Sequence, residues 1–242
     1  MNHVSPLLFF LDLLYPPRCG ACNRLLTSGM PNQICPRCMQ AIQLIYPPFC
    51  KKCGVPIPNN IKYKELCGRC KKGGHSFDRI WSCTVYEGVM ARIIRQYKYH
   101  KKRLLSHDLV QLMIRFAEMH IPMKDVDVVL AVPLHRKKEY ARTFNQAEYI
   151  ARPFAQYFNK IYCRDVLRKV RYTESQSMLT KSERTRNVTA SFRLYNRHNV
   201  AQRHILLVDD VLTTGATINE CAKILIAGGA KKVSAFVVSR GI

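Results

Sequence analysis

The chain has 242 residues, 48% of them apolar and 23% charged; this is a globular composition, enough for one large domain or two small ones, and it excludes collagen-like, coiled-coil and membrane-spanning classes. Lysine and arginine number 39 against 16 acidic residues, for a formal net charge of +23, an excess that argues for a polyanionic partner, most simply nucleic acid. It is spread along the chain: residues 1–75 hold 10 basic and 2 acidic side chains, and residues 76–242 hold 29 and 14.

Residues 6–14 form the most apolar early run, but they contain Asp12 and follow no basic stretch, and their length is about half of the roughly 20 residues that a bilayer span needs. They read as a short docking helix, in a chain of the cytoplasm or the inner face of the membrane, without a transmembrane segment. Of 11 cysteines, eight form four Cys-x-x-Cys units, Cys19/Cys22, Cys35/Cys38, Cys50/Cys53 and Cys67/Cys70, with 12 or 13 residues inside each pair of units. One unit can place two thiolates on a tetrahedral ion, and the interval allows a hairpin that brings up the second unit. Two structural Zn²⁺ sites are expected, paired in sequence order, with interleaved pairing as the alternative. An odd cysteine count with regular spacing suits redox or disulfide use less well. Cys83, Cys163 and Cys221 lie outside the pattern and are expected in the core.

Residues 81–86 read as a strand, and 90–99 and 104–119 as helices. Within residues 92–103, six basic residues interleave with Tyr97 and Tyr99. Cations neutralise phosphates and rings accept stacked bases, which makes Arg92, Arg95, Lys101, Lys102 and Arg103 candidate contacts to single-stranded DNA, with Tyr97 turned inward. Residues 125–133 read as a buried strand, followed by a basic loop at 134–147 and an amphipathic helix to about residue 158. A basic loop directly after a parallel strand can hold a diphosphate, with Arg136 and Arg142 as candidates; the alternative for 136–138 is a solvated face. Residues 168–192 show little strand or helix periodicity.

Residues 205–208 are a continuous aliphatic run of the buried parallel-strand kind, and residues 217–227 carry apolar positions at helical spacing before Gly228 and Gly229. Between them stand Asp209, Asp210 and a small-residue loop. Loop N–H groups of residues 213–217, threonine hydroxyls and a helix N-terminus can hold a phosphate monoester. The acids would repel it unless ribose hydroxyls and Mg²⁺ lay between, so the ligand is expected to be a ribose 5-phosphate. The competing reading makes the acids a helix cap and the loop an ordinary turn. Residues 232–238 add a strand. Strand and helix alternation implies an α/β fold, a mostly parallel sheet with helices on both faces, over residues 76–242, behind a small zinc ribbon domain at 1–75.

The run of four aliphatic residues, two acids and TTGAT resembles the signature of type I phosphoribosyltransferases. The resemblance implies that Asp209 and Asp210 hold the ribose of Mg²⁺-bound 5-phosphoribosyl 1-diphosphate (PRPP), and that Leu212, Thr213, Thr214, Gly215, Ala216 and Thr217 form its phosphate loop. With LLYPPRCGAC, the eight cysteines, YKYHKKRLL, VPLHRKKEYARTFNQA, RKVRYTESQSMLTKSERTRNVTASF and VDDVLTTGAT, the whole chain resembles the ComF family of competence proteins. That resemblance adds Lys98 near the ligand pocket and a mobile segment at 168–192, matched by Arg171, Thr173, Gln176, Leu179, Arg184 and Asn187. It departs from the family at Thr143 and at Ala190-Ser191, where glycine is usual at Thr143 and Gly-Ala before Phe192. The implied function is DNA uptake in natural transformation, through binding of single-stranded DNA and PRPP beside other competence proteins at the inner membrane. The alternative is an active phosphoribosyltransferase with a base, nucleotide or other amine as acceptor, for which no general-base signature is visible.

Overall fold

The computed structural model describes residues 16–27, 32–58, 66–172 and 191–242. The expected docking helix at 6–14 lies outside them, as do Thr173, Gln176, Leu179, Arg184, Asn187 and Ala190.

Two short helices, α1 (Pro36–Gln40) and α2 (Gly68–Lys71), each start directly after a cysteine of the front segment. The rest alternates as expected: β1 (Arg79–Val85), α3 (Gly88–Tyr99), α4 (Leu105–His120), β2 (Val128–Ala131), α5 (Arg136–Arg142), α6 (Gln146–Tyr157), β3 (Ile161–Tyr162), β4 (Leu167–Lys169), β5 (Phe192–Leu194), β6 (His204–Leu212), α7 (Ala216–Ala227) and β7 (Lys232–Arg240). Five strands form a wholly parallel sheet in the order β1-β7-β6-β2-β3. Its central strands are aliphatic because both faces are covered. Leu206 and Val208 of β6 pack with α3, α4 and α6, whereas Ile205 and Leu207 pack with Ile218, Cys221, Ala222 and Leu225 of α7. Cys83 and Cys221 are fully buried, and Cys163 only partly so.

Three local expectations need correction. The basic loop after β2 contains the helix α5: Lys137 N donates to the His135 ring at 3.2 Å to start it, and none of its residues is buried. Without an apolar stripe, periodicity could not show it, although its residues are good helix formers. At the ends of the 168–192 stretch, β4 and β5 pair antiparallel, each three residues long, too short to leave a pattern. Lastly, β6 runs on past residue 208 to Leu212, so Asp209 and Asp210 lie within a strand.

Candidate functional site

That extension places the acids. β6 stays paired with β7 as far as Leu212 and Arg240, but β2 stops at Ala131, opposite Val208. From β2 the chain crosses to β3 on one side, and from β6 it crosses to β7 on the other. The crevice beyond the carboxyl ends of β2 and β6 is therefore the switch point at which open α/β sheets take ligands. Asp209 and Asp210 stand there, in a cleft of about 360 Å³ lined also by Tyr86, Lys98, Tyr99, Lys138, Arg142, Lys169 and residues 211–213 and 215–218.

Each wall is fixed from another element. Tyr97, fully buried, donates its hydroxyl to the Gln146 carbonyl at 2.8 Å and so ties the end of α3 to the start of α6. Lys98, one residue on, reaches Asp210 at 2.7 Å. Arg142 donates to Gln146 Oε1 at 3.0 Å and lies 5.2 Å from the Tyr99 ring centre. On the floor, Asp210 N donates to Asp209 Oδ1 at 2.8 Å. Burial pushes the Asp209 carboxyl up to about 7; Asp210 adds to this and Lys98 opposes it. Burial also lowers the Lys169 ammonium below its usual range, against the pull of Cys221 and Asp209.

The loop after β6 turns through Gly215, whose φ of +83° suits a residue without Cβ, and enters the 12-residue helix α7. Ala216 N donates to Thr214 Oγ1 at 3.3 Å. A helix N-terminus behind a loop of small residues favours an anion. An acid pair beside it supplies oxygen ligands of the kind Mg²⁺ prefers and acceptors for hydroxyls.

Of the residues expected from sequence, Asp209, Asp210, Leu212, Thr213, Gly215, Ala216, Thr217, Lys98 and Arg142 line one cleft. Arg136 does not: with Arg164 and Arg168 it lines the adjoining hollow of about 710 Å³. Arg171 is exposed and lines neither. Lys138 and Lys169 also line the cleft, and no sequence motif assigns either to it. Lys138 lies four residues before Arg142, a spacing that puts the two side by side only in a helix. Arg92, Arg95, Lys101 and Lys102 are exposed, as DNA contacts must be. Arg103 is exposed as well and donates to Thr143 O at 3.0 Å and to Thr143 Oγ1 at 2.8 Å.

The eight spaced cysteines gather into two tetrads in sequence order, Cys19/Cys22/Cys35/Cys38 and Cys50/Cys53/Cys67/Cys70, with the sulfurs of each within 4.8 Å of one another. Zn–S bonds of about 2.3 Å would set tetrahedral sulfurs about 3.8 Å apart, and Cys22 and Cys35 stand at 3.8 Å, Cys53 and Cys67 at 3.7 Å. Cys35 N points at Cys19 Sγ (3.4 Å), and Cys67 N at Cys50 Sγ (3.3 Å). Burial raises the Cys19 thiol, but N–H donors from Cys35, Cys22 and Ala21 more than offset it and bring it to about 6. Each tetrad offers four sulfurs and fits a closed, structural zinc site.

Fold and site together define a phosphoribosyltransferase-type α/β unit joined to a pair of structural zinc sites. Family models agree: a double zinc ribbon domain matches residues 10–71, and a phosphoribosyl transferase domain matches residues 145–241. Competence protein F of Haemophilus influenzae is 25% identical over 213 residues, covering 86% of this chain and 91% of its own. DNA utilization protein YhgH of Escherichia coli O157:H7 is 27% identical over 235 residues, covering 94% and 99%. Among solved structures, the glutamine PRPP amidotransferase of B. subtilis, complexed with ADP and GMP, aligns at a TM-score of 0.41 and 18% identity, over 59% of this chain and 30% of its own. Over most of its length the chain is similar to competence and DNA utilization proteins. Among the described residues, no helix is long and apolar enough to cross a membrane.

Proposed function

We propose that the chain binds PRPP with Mg²⁺ in the cleft at Asp209 and Asp210 and single-stranded DNA on its basic surface, in a competence or DNA-utilization role like that for which its relatives are named. The observation that carries the PRPP reading is the acid pair at the switch point, directly before a small-residue loop and a helix N-terminus and ringed by Lys98, Lys138, Arg142 and Lys169. Loop and helix N-terminus suit the 5-phosphate, the carboxylates the ribose hydroxyls and Mg²⁺, and the cations the diphosphate. Lys98, paired with Asp210 at 2.7 Å, would be the cation nearest the carboxylates available to the diphosphate, and the carboxylates would hold Mg²⁺ and the ribose hydroxyls.

Calorimetry should show PRPP binding that needs Mg²⁺ and is lost in Asp209→Ala/Asp210→Ala. Unchanged affinity in the double variant refutes the assignment. Diphosphate release, followed with and without DNA, then distinguishes a binder from a transferase.

A further inference from the structure

Sequence alone put the DNA-contacting charge on residues 92–103, but the structure sorts the cations of this region by what lies beside them. Arg92 and Arg95 sit on the outer face of α3, where Arg95 Nε donates back to the Ala91 carbonyl. Another set is interleaved with rings. Arg103 lies 5.1 Å from the centre of Phe144 and 5.6 Å from that of Tyr149, and its Nη1 donates to the Tyr149 hydroxyl at 3.3 Å. Arg142 covers Tyr99 at 5.2 Å. One helical turn earlier on α5, Lys138 stands 5.5 Å from the centre of Tyr172. Arg103 bonds to Thr143, the residue after Arg142, so the three cation and ring pairs adjoin across the exposed α5.

Phe144 is buried, but the three tyrosines are not core residues: Tyr99 is 56% exposed, Tyr149 39% and Tyr172 53%. A tyrosine held against a guanidinium keeps a fixed orientation and offers its remaining surface to a base, while the cation stays available to a neighbouring phosphate. Alternation of the two is what a flexible polyanion with planar bases requires and what a smooth duplex backbone cannot use. Tyr99, Lys138 and Arg142 also line the cleft of Asp209 and Asp210.

We propose that single-stranded DNA lies along the row Tyr149, Arg103, Arg142, Tyr99 at the mouth of the cleft, and not on the Arg92 and Arg95 face. This rests on the DNA half of the function proposed above, and it adds the place and the mode of contact.

The test is fluorescence anisotropy of a labelled, unstructured oligonucleotide of mixed sequence, titrated with the full zinc-loaded chain over a range of salt. Tyr99→Ala and Tyr149→Ala should each weaken binding by about tenfold, whereas Tyr99→Phe, which keeps the ring, stays near the parent. Arg142→Gln should lower the slope of log K against log salt by roughly 0.7, with a smaller change for Arg92→Gln/Arg95→Gln. Thermal melts and zinc content matching the parent show that the variants are folded. If both alanine variants bind like the parent, or if the Arg92/Arg95 pair costs more than Arg142, the placement is overturned while DNA binding stands. A parent that binds no oligonucleotide at low salt overturns the DNA reading itself.

Discussion

Asp209 carries a conflict between stability and function that sets its pH behaviour. An exposed aspartate ionises near 3.9, but burial and Asp210 push Asp209 up to about 7 in the fold. The folded chain therefore holds a proton that the unfolded chain has released, and stability falls as pH rises from about 4 to about 7. Asp209→Asn removes that penalty. At pH 8 it should melt higher than the parent, by the equivalent of about 2 kcal/mol given the partial exposure of the group, and the gain should vanish below pH 4. Scanning calorimetry across pH tests this, and a variant less stable than the parent at pH 8 would contradict it. Thr143 presents a second residue-scale conflict. It ends α5 with φ +69°, where a β-branched residue is strained and where glycine is usual in the family it resembles. Arg103 compensates through bonds to both its carbonyl and its hydroxyl. Thr143→Gly should relieve the backbone but lose the hydroxyl contact, for a net change within about 1 kcal/mol. In an Arg103→Ala background, with that contact gone, the same change should stabilise clearly; the two denaturation midpoints decide it.

At the scale of elements, legibility followed burial. β6, β7, α3, α4 and α6 each present apolar residues to a core on one or both faces, so the sequence carries their period. The acid pair and its loop were readable for another reason: two adjacent carboxylates after an aliphatic strand have few structural uses. α5 was not readable. It packs nothing into the core and is held instead by the His135 ring at its start and by Arg103 and Gln146 near its end. These partners are distant in the chain or lie outside the helix, and no periodicity records them. The same holds for the cleft itself, since Lys138 and Lys169 reach it from α5 and β4, two short elements without an apolar period. A strand that outruns its neighbour is likewise a property of the pair. β6 could not reveal from its own residues that β2 ends opposite Val208.

On the scale of the molecule, the zinc-binding front is joined to the sheet at both tetrads. β1 is an edge strand, and residues 43–45 close it: Leu44 bridges Thr84 antiparallel, Ile45 N donates to Cys83 O at 2.8 Å and Val85 N to Gln43 O at 2.9 Å. An open edge invites pairing between chains, so this cover protects the fold. Around the second tetrad, Ile80 N donates to Lys52 O at 2.8 Å, and Ser76 N donates to Asn219 Oδ1 on α7 at 2.8 Å. Arg240 makes the strongest link. The last residue of β7 is 1% exposed, and its Nη1 donates to the Cys53 carbonyl at 2.6 Å. A cation buried that deeply requires a counter-charge. Burial, with Arg69, lowers its affinity for the proton and the nearby Cys53 and Cys67 oppose this only in part; a four-thiolate zinc centre, with two net negative charges, would supply the counter-charge. Arg240→Met should therefore leave that centre under-compensated. Challenged with a metallochromic chelator, the variant should retain about one zinc per chain under conditions in which the parent keeps two, and should lose about 3 kcal/mol of stability. Arg240→Lys, which restores charge without the planar fork, should recover part of the zinc. If Arg240→Met keeps two zinc ions as firmly as the parent, the guanidinium serves only to bind the Cys53 carbonyl, and the link between metal and sheet is steric.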